Sequence, residues 1–152
     1  MRGVYDAVIE IAVLNSARTV MYITAPSTKV VEVLSAAIEN ASVATSEQHK
    51  ATFQKVTTLG TPTATTLTPS KHEDGDQAAA SVVKGNCTSE PTTYAADTEV
   101  GKKGYSSVAG YFFGSQPEER LYITAGQTYG LRLLSTPTSF VGIVRITFRE
   151  IG

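Results

Sequence analysis

The sequence predicts an all-β fold: a single-domain, antiparallel jelly-roll β-sandwich of about eight strands with long central loops. Three observations predict it. Apolar and polar residues alternate with period two in the first and last parts of the chain, the pattern of strands with one face on a core. Turn signals separate these runs at roughly 8–12-residue spacing. Thr, Val, Tyr and Phe, which suit a pleated and half-buried surface, are well represented, whereas Trp is absent.

Residues 5–13 (YDAVIEIAV) put Tyr5, Ala7, Ile9, Ile11 and Val13 on one face, with Asp6 and Glu10 on the other. Asn15-Ser16 reads as a turn, and residues 18–24 (RTVMYIT) as a second strand. Pro26-Ser27-Thr28 ends that strand, because proline cannot donate to a ladder. In residues 29–40, Val30, Val33, Leu34, Ala37 and Ile38 fit a helical stripe as well as a strand. Val30, Val31 and Val33 lose side-chain freedom in a helix and no capping box opens the segment, so a strand is expected. Residues 49–58 (HKATFQKVTT) form the next strand, anchored in the core by Phe53.

Residues 60–104 are rich in Thr, Pro, Gly and Ser and include the tract PSKHEDGDQ. A structureless loop of that length is unusual in a compact domain. At least one strand is therefore expected, around residues 79–84, between two long excursions of the kind that often make contacts. Residues 107–113, 120–124, 128–134 and 140–149 read as four further strands. In the last of them Phe140, Gly142, Val144, Ile146 and Phe148 share a face opposite Arg145 and Arg149. Residues 1–152 make one domain, with residues 1–6 as a possible N-terminal arm.

A chain of 152 residues buries enough surface to fold without staples. The single cysteine, Cys87, cannot form an internal disulfide. A net charge of -1 supplies no bulk attraction for nucleic acid or acidic membranes, so neither is expected as a partner. Asp6 and Glu10 interrupt the first apolar run, unlike a secretory signal. No run approaches the roughly 20 apolar residues of a membrane span. Synthesis in the cytoplasm is the expectation. Charged residues make up 18% of the chain, against a usual share of about 25%, which suits a surface partly covered by neighbours.

The residues offer little for chemistry. His49 and His72 lack partners at metal-ligand spacing. Residues 72–76 (HEDGD) carry oxygen ligands but not the register of a calcium loop, and read as an exposed polar turn. Cys87 stands near Lys84, where a thiolate could be activated, although such a cysteine is more often a small buried apolar residue. Glu10, Glu32 and Glu39 could meet as paired carboxylates, but alternation explains Glu10 and Glu32 as solvated charge on an outer face. Gly101-Lys102-Lys103-Gly104 lacks the spacing of a phosphate loop and reads as a basic loop. Asn40-Ala41-Ser42 and Asn86-Cys87-Thr88 match the short glycosylation triplet, with no signal segment to bring them to the modifying enzyme. Tyr105, Tyr111, Phe112, Phe113, Tyr122 and Tyr129 could form an aromatic platform, but core packing and subunit contact explain them better. Alternation sends Phe112 and Phe113 to opposite faces, leaving one exposed or in an interface. No catalytic, cofactor-binding or metal-binding residue is therefore assigned, and the chain is not expected to be an enzyme.

The turn, strand and Ala-Pro step of residues 17–26 (ARTVMYITAP) resemble small jelly-roll proteins that decorate or cement tailed-phage capsids. So do residues 68–72 (TPSKH), 78–81 (AAAS) and 88–92 (TSEPT), and the penultimate hairpin at residues 125–133 (AGQTYGLRL). The resemblance covers nearly the whole chain, and its motifs are architectural. It implies a bacteriophage virion protein, made in the host cytoplasm, that binds the major capsid protein on the capsid surface. It also implies self-association, with a trimer ahead of a dimer. The arm at residues 1–6 and the excursions within residues 60–104 would be the elements that reach out. The alternative is a carbohydrate- or receptor-binding module of a phage fibre.

Overall fold

A computed structural model describes residues 3–42, 46–114 and 116–152. Among the described residues, eight strands form the frame of the sandwich. They are β1 (Val4–Leu14), β2 (Arg18–Thr24), β3 (Val30–Asn40), β4 (Gln48–Thr58), β9 (Val100–Ser106), β10 (Tyr111–Gly114), β12 (Thr128–Leu133) and β13 (Phe140–Ile151). Strands β5 (Thr65–Leu67), β6 (Ser70–Lys71), β7 (Val82–Gly85) and β8 (Thr93–Tyr94), none longer than β10, lie in the long central connection, and β11 (Leu121–Ile123) follows a 3₁₀ turn at Pro117–Glu119.

The first sheet runs β10-β3-β13-β1-β6, with β11 also paired to β3. The second runs β5-β7-β2-β12-β4-β8, with β9 also paired to β4. All pairings are antiparallel. First and last long strands are neighbours, and every step between consecutive long strands except β4 to β9, which pair with each other, switches sheets in the manner of a double-sheet jelly roll.

The inner faces interdigitate around Phe148, Val144, Tyr111 and Ile38 from the first sheet and Phe53, Leu131 and Ile23 from the second. Phe53 and Phe113 meet across the layers edge to face, with ring centroids 5.4 Å apart. Burying each such ring or branched chain contributes roughly 1.5–3 kcal/mol. Period two holds without a break along β13, where Phe140, Gly142, Val144, Ile146 and Phe148 all face inward. In β1 it fails once. The register slips between Ile11 and Leu14, so Val13 turns outward and Leu14 takes the core place expected of it. Gly142 sits beside this slip, and Leu14 Cδ2 lies 3.1 Å from where a Cβ would be.

Three further expectations about the strands need correction. Val4 to Asp6 belong to no arm: they pair with β13 and, at Tyr5 and Asp6, with β6; Met1 and Arg2 lie outside the described residues. Lys102 to Gly104 form part of β9 rather than a basic loop. The strand expected at residues 107–113 starts only at Tyr111, because Ser106 and Gly110 close a turn through a 2.9 Å backbone hydrogen bond. Period two could not separate β9 from its turn, since Gly101, Lys102, Lys103 and Gly104 hide any alternation.

Candidate interaction surface

The two sheets treat their outer faces differently. The second sheet is covered by its own chain. After β7, residues 86–95 cross its outer face, from β2 to the far side of β4. Asn86 and Cys87 donate backbone N–H bonds to Val20 and Thr19 at 2.9 and 3.2 Å. Glu90 accepts from both the backbone and the hydroxyl of Thr19, and the Tyr94 hydroxyl meets the same Thr19 oxygen. The Tyr94 ring lies under the Arg132 guanidinium at 4.0 Å. Arg132 in turn donates to Gln54, whose amide donates to the Ala95 carbonyl at 2.9 Å. Under this cover β2 is buried on both faces from Thr19 to Ile23.

No such cover lies over the four long strands of the first sheet, among the described residues. Its outer face alternates outward in step with the core. Register aligns Val8, Arg145, Ala37 and Phe112 in one row across β1, β13, β3 and β10. The next row towards one end holds Glu10, Ile143 and Glu39. Towards the other end come Asp6, Thr147, Ser35 and Gly114, then Val4, Arg149, Glu32 and Tyr122. Val8, Phe112 and Tyr122 are 44%, 59% and 50% exposed, far above the usual state of large apolar side chains. The Phe112 ring lies over Gly114, where a Cβ would come within 2.5 Å of it.

The last of these rows holds a buried ion cluster. Glu32 is fully buried and receives Arg120 Nη1 at 2.9 Å and the Tyr122 hydroxyl at 3.0 Å on one oxygen, with Arg149 Nε on the other. Burial pushes the Glu32 carboxyl upward, but hydrogen bonds from Arg120, Arg149 and Tyr122 outweigh it and hold the group below the usual carboxylate range. Glu32 was expected as solvated charge, and the structure reverses that expectation. Alternation places it outside correctly. It is the neighbouring arginines, one from the adjacent strand and one from the turn before β11, that seal it from water. Arg120 Nε has no hydrogen-bond partner among the described residues.

The other sequence candidates do not converge. Glu10 and Glu39 flank Ile143 at the far end of the face from Glu32, so no carboxylate trio forms. Lys71 Nζ donates to the carbonyls of Asp74 and Asp76 at 3.0 and 2.8 Å. The turn at residues 72–76 thus folds round an ammonium group, with its carbonyls already occupied. His72 lies 3.2 Å from Asp6, and His49 is buried against Tyr105 and Phe140. No group of three metal-ligating side chains occurs among the described residues. Cys87 is buried, and desolvation, with Glu90 nearby, pushes its thiol up to about 12, against the weaker pull of Arg18 and Lys84. It is not a nucleophile in the folded chain. Asn86 adopts a positive φ of 52° and accepts from Arg18, so its triplet is pinned to β2, while Asn40 accepts from Ser42 in a local turn. Of the six aromatic residues, Tyr105, Tyr111 and Phe113 are in the core, Tyr129 is half-buried, and only Phe112 and Tyr122 are exposed.

A cavity of about 330 Å³ opens where the turn after β6 meets β1, lined by Tyr5, Lys29, Asp76 and Gln77 with Gly3, Gly75 and Gly152. Its cation is engaged: Lys29 Nζ lies 2.9 Å from Glu150, which also accepts the backbone N–H and hydroxyl of Ser81 at 2.7 Å. These contacts tie the central connection to the last strand.

These features define a two-sheet β-sandwich with one self-covered face and one bare, partly apolar face. No family model matches the chain, and neither a curated protein nor a solved structure matches it.

Proposed function

We propose that the protein is a structural virion protein that binds the outer surface of a phage capsid and stabilises it through protein–protein contacts. The observation that carries the reading is the bare outer face of the first sheet, set on a fold whose other face is sealed by its own chain. Double-sheet jelly rolls serve in viral capsids and in lectins, and the sequence motifs of residues 17–26 and 125–133 resemble the capsid-decorating family. The major capsid protein is the partner. The exposed turn at residues 72–75, at the β6 edge of that sheet, extends the capsid-contacting face, while residues 86–95 cover the second sheet.

Many copies on a closed shell add their contacts by avidity, so that each copy needs only modest affinity. The chemistry of such a role is mechanical, and no residue is assigned to catalysis. Co-sedimentation of the purified chain with expanded, empty phage heads tests the reading. Binding that saturates at a fixed copy number supports it, and a chain left wholly in the supernatant refutes it. A second reading, a carbohydrate- or receptor-binding module, draws on the exposed pair Phe112 and Tyr122 on one face. Micromolar binding on a glycan array, lost in Tyr122→Ala, would favour it instead.

A further inference from the structure

We propose that the cavity between the turn after β6 and the start of β1 binds a primary ammonium group, with the Asp76 carboxylate as its counter-charge. The inference does not rest on the virion reading.

An unmatched carboxylate is the first argument. Asp76 lines the cavity and is only 6% exposed. Its backbone is fixed by the turn: the N–H donates to the Glu73 carbonyl at 3.1 Å, and the carbonyl accepts from Lys71 at 2.8 Å. Its carboxylate has no hydrogen-bond or ion-pair partner among the described residues. The other buried carboxylates, Glu32 and Glu150, are each held by cations of the chain. A carboxylate withdrawn from bulk water without a partner costs free energy, which a ligand that supplies charge and donors recovers.

The charges around the cavity favour a cation. Lys29 is paired with Glu150 at 2.9 Å, and His72 with Asp6 at 3.2 Å. Lys71 is occupied by the carbonyls of Asp74 and Asp76 and makes no ion pair. Against these two lysines stand Glu150 and Asp76, and on the same turn the exposed Glu73 and Asp74. The Tyr5 phenol registers the imbalance. Burial raises it above its usual range, and Glu150 and Asp76 raise it further, with only Lys29 opposing.

An ammonium ion brings the missing charge and three N–H donors. Next to Asp76 the site offers it two more acceptors, the Gln77 carbonyl and the Tyr5 hydroxyl oxygen, themselves joined at 2.9 Å. A divalent metal takes roughly six to eight oxygens and would find one carboxylate in this wall. The volume of about 330 Å³ stands at the small end of ligand cavities, which run from about 300 to 1,000 Å³. It suits a short alkylamine or the end of a lysine side chain from another polypeptide. At Gly75, in the wall, a Cβ would meet nothing within 4 Å.

Titration of the full chain with n-butylammonium chloride at constant ionic strength, followed by amide NMR shifts, tests the site. Saturable shifts at Gly75, Asp76 and Gln77 are expected at millimolar amine, and none with sodium butyrate. Asp76→Asn should weaken binding about tenfold or more. The melting temperature should not fall, because the replaced carboxylate makes no bond. Gly75→Leu, whose side chain enters open space, should also weaken binding with the fold intact. N-acetyl-lysine methylamide separates the two sources of the group. Tighter binding than n-butylammonium assigns the site to a lysine side chain, and weaker binding to a free amine. Absence of saturable shifts, equal binding by Asp76→Asn, or equal binding of butyrate overturns the proposal.

Discussion

Glu32 and Arg120 are joined by a 2.9 Å ion pair that links the start of β3 to the turn before β11. Neither residue is near the other in sequence, and the pair fixes β11 against the sheet edge. The carboxylate is fully buried while Arg120 and Arg149 stay about a quarter exposed. Removing the carboxylate therefore leaves two partly exposed cations rather than two buried ones. Glu32→Ala should cost about 3 kcal/mol, the lower end for a broken buried pair. Urea unfolding would show it as a fall in midpoint with little change in slope.

Acid should destabilise the protein through Glu32 and Glu150. In Glu150, burial raises the carboxyl, but hydrogen bonds from Lys29 and Ser81 prevail and lower it. Both groups thus bind fewer protons folded than unfolded, and stability rises with pH in that window. Their contribution is complete above the unfolded carboxylate value of about 4.3 and is lost as pH falls through the folded values. Unfolding midpoints should be flat from neutral pH down to about 5 and drop below about 4. A Glu32→Gln, Glu150→Gln double variant should be less stable at neutral pH and show a shallower acid decline.

Cys87 should resist modification in the native state. Its thiol is both buried and held up to about 12, so almost no thiolate exists at neutral pH. Titration with a thiol reagent should find no fast-reacting group in the folded protein and one per chain in denaturant. Rapid native labelling would show that the segment over the second sheet opens readily.

Gly130 lies beneath that segment. A Cβ there would sit 2.5 Å from the Tyr94 hydroxyl and 3.2 Å from Thr19 Cγ2. The hydroxyl cannot withdraw freely, because Thr19 binds it and Arg132 lies over its ring. Gly130→Ala should cost about 1–3 kcal/mol. It should also speed proteolytic cleavage within residues 86–95 relative to the rest of the chain.

Much of the frame was legible. Tyr5, Ala7 and Ile11 in β1, and the five inward residues of β13, follow period two because their sheet has one buried and one open face. The strand chosen over a helix at residues 29–40 is β3, as the β-branched Val30, Val31 and Val33 imply. Phe53 is fully buried, and alternation splits Phe112 from Phe113 as expected. The candidate surface was only half legible. Outward placement of Phe112 could be read, but the sealing of Glu32 depends on Arg120, far away in the chain.

Alternation by itself determined that this chain forms strands with a core face, and which residues of β13 and β10 point away from that core. Tertiary structure alone decided which outer face stays open. β2 is buried on both sides because residues 86–95 fold across it, through contacts such as Glu90 to Thr19 and Tyr94 over Gly130. The physical reason is separation. Local periodicity reports how a strand meets its own core, whereas cover comes from partners dozens of residues away, whose approach no neighbouring residue records.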